Sequence, residues 1–168
     1  YSLGVKVKGS KTPEQLAAEQ RKANQAYIDL IDKQATDRAN AEKEYALKAK
    51  QAKIDGMAEG TDKVLAQMEL DFKKEQFQLE KDKQEAITAE IARQKAVFDA
   101  REDEKAATAP KYAKATFDPK TDVDTTAINA ISSQYDELAK LLADKQNQIR
   151  SERQEAEISA MNEYLKEF

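Results

Sequence analysis

The chain has 168 residues, of which 36 % are charged, with only four glycines, three prolines and a net charge of −4. Cysteine and histidine are both absent, which removes disulfides, thiolate zinc sites and every triad or acid–base scheme built on imidazole. Acids and bases are interspersed, which argues against a nucleic-acid-binding surface, and no apolar run approaches the ~18 residues of a membrane span.

Heavy charge with few helix breakers suits long solvated helices better than a large globular core. Much of the 40 % hydrophobic content is alanine, so narrow apolar seams are expected to hold the fold. The fold class expected is all-α: long helices forming a coiled coil.

Residues 1–11 alternate apolar and polar side chains through Tyr1, Leu3, Val5 and Val7 and read as an extended N-terminal tail. Thr12-Pro13-Glu14-Gln15 then supplies a capping box with proline at the first helical position, so a helical region is predicted over 12–105. Its first part carries a thin stripe of small and aromatic residues, among them Leu16, Ala23, Tyr27, Leu30 and Ile31. Thin stripes allow close helix approach but bury little area.

From Ile54 the stripe is richer. Ile54, Leu65, Ile87 and Phe98 lie on an eleven-residue repeat interrupted by Gln76; Met57, Met68 and Leu79 form a second row, and Phe72 supports a third. Eleven residues in three turns is close to the natural helix pitch, so this seam stays nearly straight. Phe77 and Ile91 fall outside these rows and suggest a second contact face.

Gly56 and Gly60, within 56–62, pose the main question of shape. Ile54, Met57, Thr61 and Leu65 keep their helical phase across them, as one unbroken helix of about 135 Å requires. Gly60 equally suits a left-handed helix end, with Thr61 or Asp62 capping a new helix. Breaking there divides the chain into three segments of similar length, as an antiparallel three-helix hairpin needs, and that is the arrangement expected.

Residues 106–124, with Pro110, Pro119 and several Asp and Thr, read as a connector on which Tyr112 and Phe117 find something to pack against. A C-terminal helix is predicted over 125–168, with Ile128, Tyr135, Leu142 and Ile149 at heptad spacing. It stops without a cap or glycine, as a helix continuing into a longer protein does.

No constellation of residues points to chemistry. Asp118, Asp122 and Asp124 fail the calcium-loop pattern, since its sixth and twelfth positions are Val123 and Asn129. Carboxylate–lysine spacings such as Glu69–Lys73 and Lys81–Glu85 read as salt-bridged helix faces. Neither glycine is followed by the Lys-Ser/Thr of a phosphate loop. The expectation is therefore a non-enzyme with no catalytic, metal or cofactor site, whose helix-packing residues are the functional ones.

Three stretches, "KQAKIDGMAEGTDKVLAQMELDFKKE" at 50–75, "KATFDPKTDVDTTAINA" at 114–130 and "MNEYLKEF" at 161–168, resemble segments of the tape-measure proteins of tailed bacteriophages and prophages. The resemblance implies a structural coiled-coil segment that helps set tail length during assembly. It would lie in the lumen of the virion tail tube, after passing through the host cytoplasm, and leave ahead of the DNA. The partners implied are tail-tube or tail-assembly proteins and other tape-measure segments; the narrow seams by themselves lead to an expectation of self-association, and the charge pattern to one of no nucleic acid and no membrane for this portion. A second expectation, independent of phage, is a coiled-coil adaptor or scaffold module that binds a protein partner.

Overall fold

A computed structural model describes residues 10–167. The tail expected over 1–11 therefore lies almost wholly outside the described residues, as does Phe168. Three helices follow in order: α1 (Pro13–Asp55), α2 (Thr61–Thr108) and α3 (Thr125–Lys166). They pack antiparallel, α1 against α2 and α2 against α3, and there is no strand among the described residues.

Each helix begins where local chemistry lets it. At α1 the capping box closes reciprocally: the Gln15 amide donates to Thr12 Oγ1 at 3.1 Å and the Thr12 amide donates to Gln15 Oε1 at 2.9 Å. At α3 the Thr126 amide donates to Asp124 Oδ1 at 3.0 Å, which makes Asp124 the cap. The start of α2 has a different construction. Gly60 itself, at φ +153°, occupies the capping position, and its carbonyl accepts the Val64 amide at 3.2 Å. The sequence had offered Thr61 or Asp62 for that role, but Thr61 is already the first helical residue.

The turn spans residues 56–60. The Gly56 amide still reaches Ala52 O at 3.2 Å as in an α-helix, and the Met57 amide then tightens onto Ile54 O at 3.0 Å. At its other end α2 runs three residues past the expected 105, with the Thr108 hydroxyl and the Ala109 amide both donating to Lys105 O. The connector is correspondingly 109–124.

The chain gathers into two compact units. The first takes the chain up to Ala41 together with Ile87–Ile128; the second takes Glu42–Ala86 with the chain from Asn129 onward.

In the second unit α2 is the middle helix. Gln67, Lys74 and Lys81 bond to Gln51, Gln51 and Glu44 of α1. Glu69 and Lys83 pair with Arg150 and Asp136 of α3. These two rows are offset by two residues, about 200° around a helix of 3.6 residues per turn, so α1 and α3 sit on opposite sides of α2. Helices in such a layer cannot enclose a common centre. That is the physical reason α3 contributes no buried residue, and why Leu70 and Ile54 are the buried hydrophobic side chains of this unit among the described residues.

Candidate functional site

The most elaborate side-chain arrangement lies in the first unit, where the connector folds onto α1 and α2. Phe117 is 2 % exposed and meets Phe98 of α2 edge-on, with ring centroids 5.5 Å apart and planes at 67°. Beside it the Thr116 hydroxyl donates to Ala18 O at 3.3 Å, and Gln15 Nε2 donates to Pro110 O at 3.3 Å, so both ends of the strap are tied to α1.

Glu102 of α2 holds the middle. It is 5 % exposed, and its two carboxylate oxygens accept the Tyr112 hydroxyl at 2.5 Å and the Ala115 amide at 3.2 Å. Lys105 stands 3.7 Å away and also lies over the Tyr112 ring, 6.0 Å from its centroid. The hydrogen bond to Glu102 pushes the Tyr112 phenol above its ordinary range, with desolvation acting in the same direction. On the rim Lys114 pairs with Asp103 at 2.7 Å, which holds the Asp103 carboxyl below and the Lys114 ammonium above their usual values. Glu102, Asp103, Tyr112, Lys114 and Phe117 are among the side chains that line an open cleft of about 600 Å³. Both oxygens of Glu102 are committed to the connector, so what this arrangement does chemically is pin the strap down.

The entry to α3 is held by a second bracket. Gln94 accepts the Asp124 amide at 2.6 Å through Oε1, while its Nε2 donates to Glu90 at 3.2 Å. Arg93 donates twice to the same Glu90 carboxylate, at 2.9 and 2.6 Å. These bonds, from Arg93 first and then Gln94, lower the Glu90 pKa to about 2 from an ordinary 4.5. A carboxyl depressed in the folded state contributes stability that is complete above pH 4.5 and is lost as pH falls through about 2. Melting temperature should therefore fall over that interval, and fall less steeply in Glu90→Gln. Equal acid slopes for the two proteins in a thermal titration would show that the bracket contributes nothing.

The packing residues named from the sequence are distributed over both units. In the second unit Ile54 is buried, and Met57, Met68, Phe72, Leu79, Tyr135 and Leu142 are half-buried, whereas Leu65 and Ile149 are 39 % and 37 % exposed. Five of them, Leu65, Met68, Phe72, Leu142 and Ile149, come together around an open groove of about 200 Å³ between α2 and α3. In the first unit Ile87, Phe98 and Ile128 are half-buried, and Phe98 is the one that meets Phe117. Gly56 and Gly60 lie in the turn.

Sequence reasoning passed over Leu70, which is 2 % exposed, and Glu102. For Leu70 a signal exists: Leu70, Phe77, Gln84 and Ile91 form a heptad row, and Phe77 and Ile91 are the residues whose spacing suggests a second contact face. Glu102 gave no signal, because one acid among many on a charged helix acquires meaning only when the connector reaches it.

Asp118 and Asp122, weighed as cation ligands, are engaged in building the connector turn. The Asp118 amide donates to Asp122 Oδ2 at 2.8 Å, and the Lys120 amide donates to Asp118 Oδ1 at 2.9 Å. Among the described residues no group of acidic side chains converges on a point where a metal ion could sit. No helix among them is long and apolar enough to cross a membrane. The chain matches no family model, no curated protein and no solved structure.

Proposed function

We propose that this chain is a structural helical segment of a phage tail tape-measure protein, acting through the length of its helices and through contacts along their faces, with no reaction of its own. The observation that supports the reading is helical continuity: three helices of 43, 48 and 42 residues in a chain with four glycines and three prolines. A helix converts residue number into length at 1.5 Å per residue, which is the property a ruler uses. The sequence resemblance adds the biological setting: tail-tube and tail-assembly proteins as partners, the tube lumen as the site of action and the host cytoplasm as the place of assembly.

The test is made on the parent gene in its phage or prophage. With the helices laid end to end inside the tube, removing six heptads from α2 should shorten assembled tails by about 63 Å, and duplicating the same heptads should lengthen them by as much. Tails of unchanged length from both variants would overturn the reading.

A second reading is a coiled-coil adaptor that binds a protein partner or a second copy of itself. Exposed large apolar side chains favour it: Tyr27, Leu30 and Ile31 on α1, and Ile158, Met161 and Leu165 near the end of α3. The gene's neighbours distinguish the two readings, since a ruler is encoded among tail-tube and baseplate genes.

A further inference from the structure

We propose that the turn at 56–60 is a hinge, at which α1 and α2 straighten into one continuous helix. Of the three helix starts, that of α2 is the one without a side-chain cap. Thr12 and Asp124 each place a side-chain oxygen on the helix they open, whereas Gly60 offers α2 its backbone carbonyl alone. Of the five turn residues, Met57, Ala58 and Glu59 are good to strong helix formers, and the Gly56 amide already makes an α-helical bond. The departure from helix depends on Gly60, whose φ of +153° is a conformation that L side chains rarely adopt. The phase across the turn is also right: Ile54, Met57, Thr61 and Leu65 follow at intervals of three, four and four, so a straightened helix keeps one apolar row.

Little opposes opening. Across the α1–α2 seam of the second unit the ties are between polar side chains: Gln51 with Gln67 at 2.7 and 3.1 Å, Lys74 with Gln51 at 2.9 Å, and Lys81 with Glu44 at 3.3 Å. Water can replace each of these at small net loss. Ile54, Leu70 on the same face of α2 as Gln67 and Lys74, and in the first unit Ala18 are the buried apolar side chains given up. Lys50 and Lys73 already repel one another across the seam, and that proximity lowers the pKa of Lys50. In the first unit the connector's two bonds to α1, from Thr116 and Gln15, are released as well.

Because the chain has no cysteine, a Lys48→Cys/Gln78→Cys pair can be spin-labelled cleanly. In the antiparallel pair these positions lie on neighbouring helices with axes about 10 Å apart, whereas in a straight helix they are about 45 Å apart. Labelled chains are diluted into unlabelled protein, so that distances between copies do not contribute. The parent should give the short distance. Gly60→Ala penalises the turn and favours the helix, and should raise the ratio of long to short distances about tenfold at undiminished helical circular dichroism. Gly56→Ala adds a Cβ that meets nothing closer than 3.6 Å and should leave the short distance dominant. A short distance retained in Gly60→Ala, or a long one accompanied by loss of helical signal, overturns the hinge. The inference does not depend on the ruler reading: this experiment uses the isolated chain and the other measures tails, so either can fail alone.

Discussion

Phe117→Ala should lower the stability of the protein by about 3 kcal/mol, the lower end of the range for removing a buried aromatic ring. At the slope usual for a chain of this size, that is a fall in melting temperature of roughly 10 °C. The size of the effect follows from position. Phe117 is 2 % exposed, its ring packs edge-on against Phe98, and the two residues before it are tied to α1 through the Thr116 hydroxyl and to α2 through the Ala115 amide. A cavity there cannot be refilled by a connector held at both ends. Native-state hydrogen exchange should report the loss first at the connector and at the α2 amides around Phe98, within the first unit. A melting temperature within about 2 °C of the parent would mean that the strap is a passive covering.

The second large effect is expected at Leu70. Leu70→Ala should cost about 2–4 kcal/mol, whereas Leu65→Ala, at a side chain already 39 % exposed, should cost under about 1 kcal/mol. Urea midpoints with unchanged m-values provide the comparison. The two leucines are five residues apart and chemically identical, so the difference isolates what packing adds to hydrophobicity. Equal losses would mean that the α1–α2 seam is no more sheltered than the open groove on the other side of α2.

Both predictions reflect the same economy. In the second unit a layer of helices with α2 in the middle has two seams and no common centre, and in the first the connector supplies the covering for Phe98. Stability then rests on a few sheltered side chains and on caps and brackets at the helix ends, such as Thr12–Gln15 and the Glu90–Gln94–Asp124 group. Large apolar side chains are left exposed along both α1 and α3.

What could be read from residues alone was whatever depends on neighbours a few positions away. The helix starts at Thr12–Pro13 and near Asp124, the absence of breakers through α1 and α2, the proline-bearing connector and the all-α class are local consequences of capping, propensity and period. The turn at Gly56–Gly60 was only half legible. Its two outcomes use the same residues in the same phase, and choosing between them depends on whether α1 and α2 have surfaces that fit each other. Contacts distant in sequence lay beyond such reading. Nothing local distinguishes Glu102 from the acids around it until Tyr112 and the Ala115 amide are folded against it. Leu65 and Leu70 likewise differ only in which side of α2 faces α1. Side-chain spacing defines the faces of a helix; which of them is covered, and by what, is decided by packing against the rest of the chain.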